Sequence, residues 1–174
     1  NAMADKKRVL IPGGAGYIGS HVVLTVLNTR RYKVTGALLR VCIGLLTQVV
    51  DNFHNSKPEA IYRIEKLALE ALPADASEQD KADCKVDLVR ADLRDRDAID
   101  AVFANRAADD RIYAVILIGA LKAVGESSQI PIDAWVRGGA LTSYYNVNVG
   151  GLLNLMTAMD LSLYTSDAAD EGLG

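Results

Sequence analysis

Gly13, Gly16 and Gly19 recur at three-residue spacing, behind the apolar run Val9-Leu10-Ile11 and across the start of an apolar-periodic segment, Tyr17 to Thr29. The order reads as strand, tight turn and helix, and each glycine has a physical reason to lack a side chain. Gly13 can take the positive φ of the turn, Gly16 lets backbone approach a ligand, and Gly19 lets the helix close on the strand. The first turn of such a helix presents unpaired N–H groups and the positive end of its dipole, so it holds an anion without a basic side chain. Diphosphate binding is the chemistry this spacing serves when it follows a strand and opens a helix; a plain turn is the alternative. Pro12 has no N–H and a fixed φ, so it belongs at the strand's end.

The remaining composition narrows the partners. A net charge of −3 offers no Lys/Arg-rich face for a nucleic-acid backbone, so no nucleic acid is expected. Cys42 and Cys84 lack disulfide-framework or zinc-ligand spacing, which predicts no metal site and a reducing, cytoplasmic setting. Val34 to Val50 is the most membrane-like stretch, yet Arg40 and Gln48 interrupt it and it is short for a bilayer, so no membrane span is expected. At 174 residues the chain fits one domain, with residues 1–7 as an N-terminal tail set aside from fold reasoning.

The elements that must position the glycine turn alternate short β-type runs with helical patterns, which predicts an α/β fold with a parallel sheet. Strands are predicted at Arg8–Ile11, at Tyr32–Thr35 or Val49–Asp51, at Val86–Arg90 and at Tyr113–Ile118; the last is apolar throughout, as a strand covered on both faces should be. Helices are predicted at Tyr17–Thr29, Pro58–Leu72, Arg96–Ala104 and Tyr144–Met159. Ser56 is the expected N-cap of the second, with Glu59 completing a capping box and Ile61, Ile64, Leu67, Ala68 and Leu72 as its apolar face. Asp95 should cap the third. Pro73 to Lys85 is polar and reads as a solvated connection. His21 and His54 have no carboxylate or cysteine partner at motif spacing and are assigned no catalytic role.

Five segments together resemble the UDP-glucose 4-epimerases, extended short-chain dehydrogenase/reductases: 13–21, Val50-Asp51-Asn52-Phe53-His54-Asn55-Ser56, Ala91-Asp92-Leu93, Ala120-Leu121-Lys122-Ala123-Val124-Gly125-Glu126-Ser127, and Tyr144-Tyr145-Asn146-Val147-Asn148-Val149-Gly150-Gly151. The resemblance runs from Arg8 to Met159 and implies a Rossmann-like, doubly wound parallel sheet, incomplete at the C-terminus. It implies NAD as cofactor, held by Gly13, Gly16, Tyr17, Ile18 and Gly19 at the diphosphate. Asp51 and Asn52 would sit at the adenosine ribose, where a carboxylate favours NAD over its 2′-phosphorylated relative. Asp92 and Leu93 would border the adenine. Ile118, Gly119 and Ala120 would pass beside the cofactor, Lys122 would reach its ribose or the sugar nucleotide, and Asn148 matches a family asparagine. The implied activity interconverts UDP-glucose and UDP-galactose through a 4-keto sugar, a tyrosine phenolate taking the C4 hydroxyl proton while NAD takes the hydride. A UDP-sugar and a second copy, as a homodimer, are the implied partners. Another extended-family enzyme, a nucleotide-sugar dehydratase or decarboxylase, should lack the Leu121–Ser127 run; a non-enzymatic NAD(P)-binding regulator would do without a catalytic pair.

Three segments depart from the family pattern: 36–48, 134–143 and 161–174. Gly19 and Asp51 are 32 positions apart, or 19 without 36–48, and roughly 20 is the expected separation of glycine motif and ribose acid. Both inner segments therefore read as aberrant insertions in a domain spanning 8–160, with 161–174 as a non-family tail. Were 36–48 genuine, Val34–Leu39 could be the strand instead, with Arg40 at its end to hold a 2′-phosphate, the NADP alternative. The family's catalytic Tyr-x-x-x-Lys would follow Met159, and the pattern there is lost. Tyr62-Arg63-Ile64-Glu65-Lys66 has that spacing, but on the helix after the ribose loop, so no catalytic residue is assigned and the chain is expected to be inactive alone.

Overall fold

The computed structural model describes residues 7–29, 45–104, 111–122 and 144–170. Where the sequence predicts one domain over 8–160, the backbone groups into two compact units, Asn1–Arg90 with Arg106–Ile118 and Ala91–Asn105 with Gly119–Gly174. The chain changes unit just past the third and fourth strands.

The first unit is built on a parallel sheet. Strands β1 (Lys7–Pro12), β2 (Leu45–Asp51), β3 (Val86–Arg90) and β4 (Ile112–Val115) lie in the order β3-β2-β1-β4. Helices α1 (Tyr17–Thr29), α2 (Glu59–Glu70) and α3 (Glu78–Ala82) complete it. Because successive strand residues point to opposite faces, Val9, Ile11 and Val49 share one face. There they join Val23, Val26 and Leu27 of α1 and Ile61, Ile64 and Ala68 of α2 in one buried cluster. Each such aliphatic contributes about 1.5–3 kcal/mol on leaving water, so this cluster fixes α1, and with it the glycine turn, against the sheet.

β2 corrects one expectation. The strand begins at Leu45 and pairs without interruption, from Lys7 opposite Leu45 to Pro12 opposite Val50. Leu45 to Gln48, assigned by pattern to an aberrant insertion, are thus strand, while Tyr32–Thr35 and Arg40 lie outside the described residues. A register reaching Asp51 needs residues directly ahead of Val49, and Leu45–Gln48 supply them by contiguity. Gln48 is 3% exposed and tolerable there because its Nε2 donates to Asp87 Oδ2 of the adjacent strand at 2.8 Å, an oxygen that also accepts from Arg8 Nη1 at 3.2 Å.

Further differences have local causes. Ser56 does not cap α2: Pro58 occupies the N-cap with no side-chain bond, and the Ser56 hydroxyl turns to Asp51. Leu67 is half exposed, narrowing the buried stripe of α2 to Ile61, Ile64, Glu65 and Ala68. The polar connection 73–85 contains α3, nucleated by a Ser77/Asp80 capping box. β4 lies at one end of the sheet with Tyr113 65% exposed rather than covered on both faces. Its pairing nonetheless persists to Ile118, whose N–H donates to the Pro12 carbonyl at 3.0 Å.

In the second unit, α4 (Arg96–Phe103) starts at Asp95, whose carboxylate accepts from Ala98 N–H at 3.0 Å. It packs on α5 (Gly151–Asp170), and the pair bury Ile99, Val102 and Phe103 on one helix and Leu155 and Ala158 on the other. A π-helical turn, Asn146–Gly150, leads into α5. Helix continues past the predicted end at Met159 to Asp170, through the tail that follows no family pattern. Segment 134–143 and residues 123–127 of the family-like run lie outside the described residues.

Candidate functional site

The strand order puts the turn after β1 at the point where the sheet reverses direction of growth, where open α/β sheets bind ligands beyond their carboxyl ends. Pro12 is the last residue of β1, as its missing N–H requires. Gly13 then takes φ 79°, the left-handed region, and its N–H donates to the Val50 carbonyl at 2.7 Å, tying the turn to β2. A Cβ on Gly19 would fall on the Gly13 carbonyl oxygen and lie 2.8 Å from Gly14 Cα. The close approach is therefore between α1 and the turn's own backbone, not between α1 and the strand. Gly16 is less crowded, a Cβ there standing 3.3 Å from the Gly13 oxygen. Gly14 was not among the predicted site residues, yet a Cβ on it would stand 2.7 Å from Val49 Cγ2; the Gly13-Gly14 doublet was its only signal.

Asp51 closes the other side of this turn. It ends β2, is 7% exposed, and its Oδ2 accepts from Ala15 N–H at 3.1 Å. Its Oδ1 accepts from Phe53 N–H at 2.9 Å and from the Ser56 hydroxyl at 2.8 Å. One carboxylate thus holds the glycine turn and the loop after β2 together, and Phe53 takes a left-handed φ of 57° as the chain curls round it. Asn52 is exposed beside it, its Oδ1 accepting from His54 N–H at 3.0 Å. Tyr17 and Ile18, 84% and 49% exposed, stand at the open start of α1, the Tyr17 ring edge-on to His21 at 5.3 Å. Gly13, Gly16, Tyr17, Ile18, Gly19, Asp51 and Asn52 are therefore assembled within the first unit, with Ile118 packed against its core.

Asp92, Leu93, Gly119, Ala120, Lys122 and Asn148 belong to the second unit. Asp92 follows β3 by two residues. Its Oδ1 accepts from Arg94 N–H and Nε, both at 2.9 Å, and its Oδ2 from Arg94 Nη2 at 2.8 Å, which raises the Arg94 pKa above its ordinary value. Leu93 is buried, at a place where a Cβ on Gly151 would come within 2.8 Å of it. Gly119 and Ala120 lead to Leu121, whose N–H and C=O are both taken by the Asn148 amide, at 2.8 and 2.9 Å. Lys122 is exposed one residue further on. Asn148→Ala should cost about 1–3 kcal/mol, because both Leu121 groups lose their partner in a half-buried setting. Asn148→Asp should cost a similar amount, its second oxygen then facing a carbonyl; denaturant unfolding measures both.

Tyr62 and Lys66 lie on the exposed side of α2, Lys66 paired at 3.7 Å with Glu70. Among the described residues no cluster of three or more His, Cys, Asp or Glu could hold a metal, and no helix is long and apolar enough to cross a membrane.

No protein-family model matches the chain. Over 151 residues it is 38% identical to UDP-glucose 4-epimerase 3 of Oryza sativa subsp. japonica, covering 87% of this chain and 30% of that protein. UDP-glucose 4-epimerase uge1 of Schizosaccharomyces pombe is likewise 38% identical, with 87% of this chain and 31% of that protein covered. Among solved structures, the Bifidobacterium longum UDP-glucose 4-epimerase in complex with NAD+ and UDP superposes with a TM-score of 0.60 at 28% identity, covering 90% of this chain and 34% of that one. The Stenotrophomonas maltophila enzyme, with bound NAD and formylated UDP-arabinopyranose, gives a TM-score of 0.56 at 30% identity, covering 88% and 33%. The chain spans about 30% of the length of these curated relatives.

Proposed function

We propose, from the premise that this chain is similar in sequence and fold to the N-terminal third of UDP-glucose 4-epimerases, that it is the NAD-binding half of such an enzyme. The observation that carries the proposal is the Asp51 carboxylate, held 3.1 Å from the Ala15 N–H of the glycine turn. A diphosphate at the start of α1 and a ribose diol one strand over then fall within one dinucleotide's reach, neighbouring strands being about 4.8 Å apart. The residues fit the cofactor: Gly13 supplies the left-handed turn, Gly16 leaves backbone open, and Gly19 brings the first N–H groups of α1 up to that turn. Tyr17 and Ile18 would cover the diphosphate, and Asp51 and Asn52 would take the ribose. Ile118, packed against the same core at the end of β4, would lie beside the cofactor's path. When bound, NAD would supply a hydride acceptor and donor at its nicotinamide.

In this reading the substrate of the complete machinery is a UDP-sugar, the assembly a homodimer and the setting the cytoplasm. The Tyr-x-x-x-Lys spacing in the sequence, Tyr62/Lys66, lies on the exposed side of α2. Calorimetric titration with NAD and NADP tests the proposal. NAD should bind, and NADP at least about tenfold more weakly, because its 2′-phosphate would meet the Asp51 carboxylate and like-charge contacts exceed about 1.4 kcal/mol. The same polypeptide should not turn over UDP-galactose. Failure to bind NAD, or tighter binding of NADP, would overturn the assignment.

A further inference from the structure

We propose that Arg90 is a specificity-determining residue for the dinucleotide: from its place opposite Asp51, its guanidinium would take the 2′-phosphate of NADP and offset part of the carboxylate's discrimination against that cofactor. This rests on the NAD-binding reading and concerns the first unit alone, Arg90 being the last residue before the chain leaves it for the second. In the parallel pairing of β2 with β3, Val49 lies opposite Leu88 and Asp51 opposite Arg90. Val49 and Leu88 both pack in the core cluster, and side chains two residues further along each strand return to that face. Asp51 and Arg90 therefore share one face at the carboxyl ends of neighbouring strands, which run about 4.8 Å apart.

The two charges are not spent on each other. Asp51 is held by three uncharged donors, the Ala15 N–H, the Phe53 N–H and the Ser56 hydroxyl. The charges nearer the start of β3 are matched, Lys85 with Glu65 and Asp87 with Arg8, each at 3.2 Å. Arg90 is exposed, and among the described residues its guanidinium has neither a hydrogen-bond nor an ion-pair partner. NAD and NADP differ at the 2′ position of the adenosine ribose, the position proposed to meet Asp51. A guanidinium carried one strand over from that carboxylate offers the planar pair of donors that matches a phosphate. The two side chains thus act on the 2′ substituent in opposite senses: the carboxylate favours the hydroxyl of NAD, and the arginine contributes only when a phosphate is there.

The test titrates NAD and NADP against the full 174-residue chain and its variants. Arg90→Ala should weaken NADP about fivefold, the upper range of a solvent-exposed ion pair, while NAD affinity stays within about twofold and the melting temperature does not move. Asp51→Asn should show the effect more plainly, because the arginine then acts unopposed, and adding Arg90→Ala to it should withdraw the gain of NADP over NAD. If Asp51→Asn does not fold, the single variants at Arg90 carry the comparison. Arg90→Lys should keep most of the NADP affinity, since the charge remains. Equal weakening of both dinucleotides in Arg90→Ala overturns the role of Arg90. So does an unchanged NADP affinity there, or loss of the NADP gain through Lys57→Ala instead, which would put the phosphate on the loop after β2; either result leaves the NAD reading intact. No binding of NAD at all sinks both.

Discussion

Replacing Gly19 by alanine should cost about 3 kcal/mol of folding stability, at the upper end of overpacking penalties, and remove NAD binding with it. The added methyl would meet the Gly13 carbonyl oxygen and the Gly14 Cα, both backbone, so no side-chain rotation can relieve the contact. Relief requires either α1 or the turn to move. α1 is anchored by Val23, Val26 and Leu27 in the buried cluster, and the turn by the bond from Gly13 N–H to Val50. Either movement withdraws the first N–H groups of α1 from the place where a diphosphate would sit. Alanine at Gly16 is the control: its methyl would stand 3.3 Å from the Gly13 oxygen, a contact that a few tenths of an ångström relieves. Stability should change by less than about 1 kcal/mol there, and NAD affinity should fall because Gly16 belongs to the backbone proposed to approach the diphosphate. Urea unfolding and NAD titration of the two variants separate a packing glycine from a binding one. Equal stability losses at the two positions would contradict this division.

The glycine turn was the most legible part of the chain because backbone geometry leaves little choice of residue there: a positive φ at 13 and a backbone contact at 19 both exclude a Cβ. Apolar pattern made α1 and β3 legible as well, α1 matching its predicted Tyr17–Thr29 and β3 its predicted Val86–Arg90. Ser56 was misread because two partners compete for its hydroxyl. Cap chemistry near a helix start is a local signal, whereas the buried Asp51 carboxylate that takes the hydroxyl comes into view only once β2 is placed. The start of β2 was missed because a family pattern defines where sequence departs, not where a strand can pair. Gln48 looks like a poor central-strand residue, and becomes acceptable through Asp87, 39 positions away. Ser77-x-x-Asp80 did carry a readable capping box inside a stretch taken for connection; five residues of helix are too few to show periodicity. The double bond of Asn148 to Leu121 was not legible, because nothing in a sequence reports which backbone a half-buried amide will meet.

Asp51→Ala should be the second severe change, costing about 3–4 kcal/mol and abolishing detectable NAD binding. The carboxylate serves three donors: the Ala15 N–H on one oxygen, and the Phe53 N–H and Ser56 hydroxyl on the other. Each donor left unpaired away from water costs about 1–3 kcal/mol, with the buried Ala15 N–H toward the upper end. The half-buried Phe53 and Ser56 groups recover part of that from solvent. Asp51→Asn isolates the ligand's share. An amide keeps one acceptor oxygen, which can retain the Phe53 and Ser56 bonds, but turns an NH2 toward the Ala15 N–H, donor against donor. Its stability cost should be about 1–2 kcal/mol, smaller than that of alanine. Its NAD affinity should still drop by about tenfold or more, because the charged acceptor proposed for the ribose hydroxyls is gone. The charge that disfavours a 2′-phosphate is gone as well, so Asp51→Asn should narrow or reverse the preference for NAD over NADP. Denaturant unfolding with parallel titration of both cofactors reads these effects separately. If Asp51→Asn keeps the full NAD preference while losing stability, Asp51 only staples the glycine turn to its loop, and the ribose is held elsewhere.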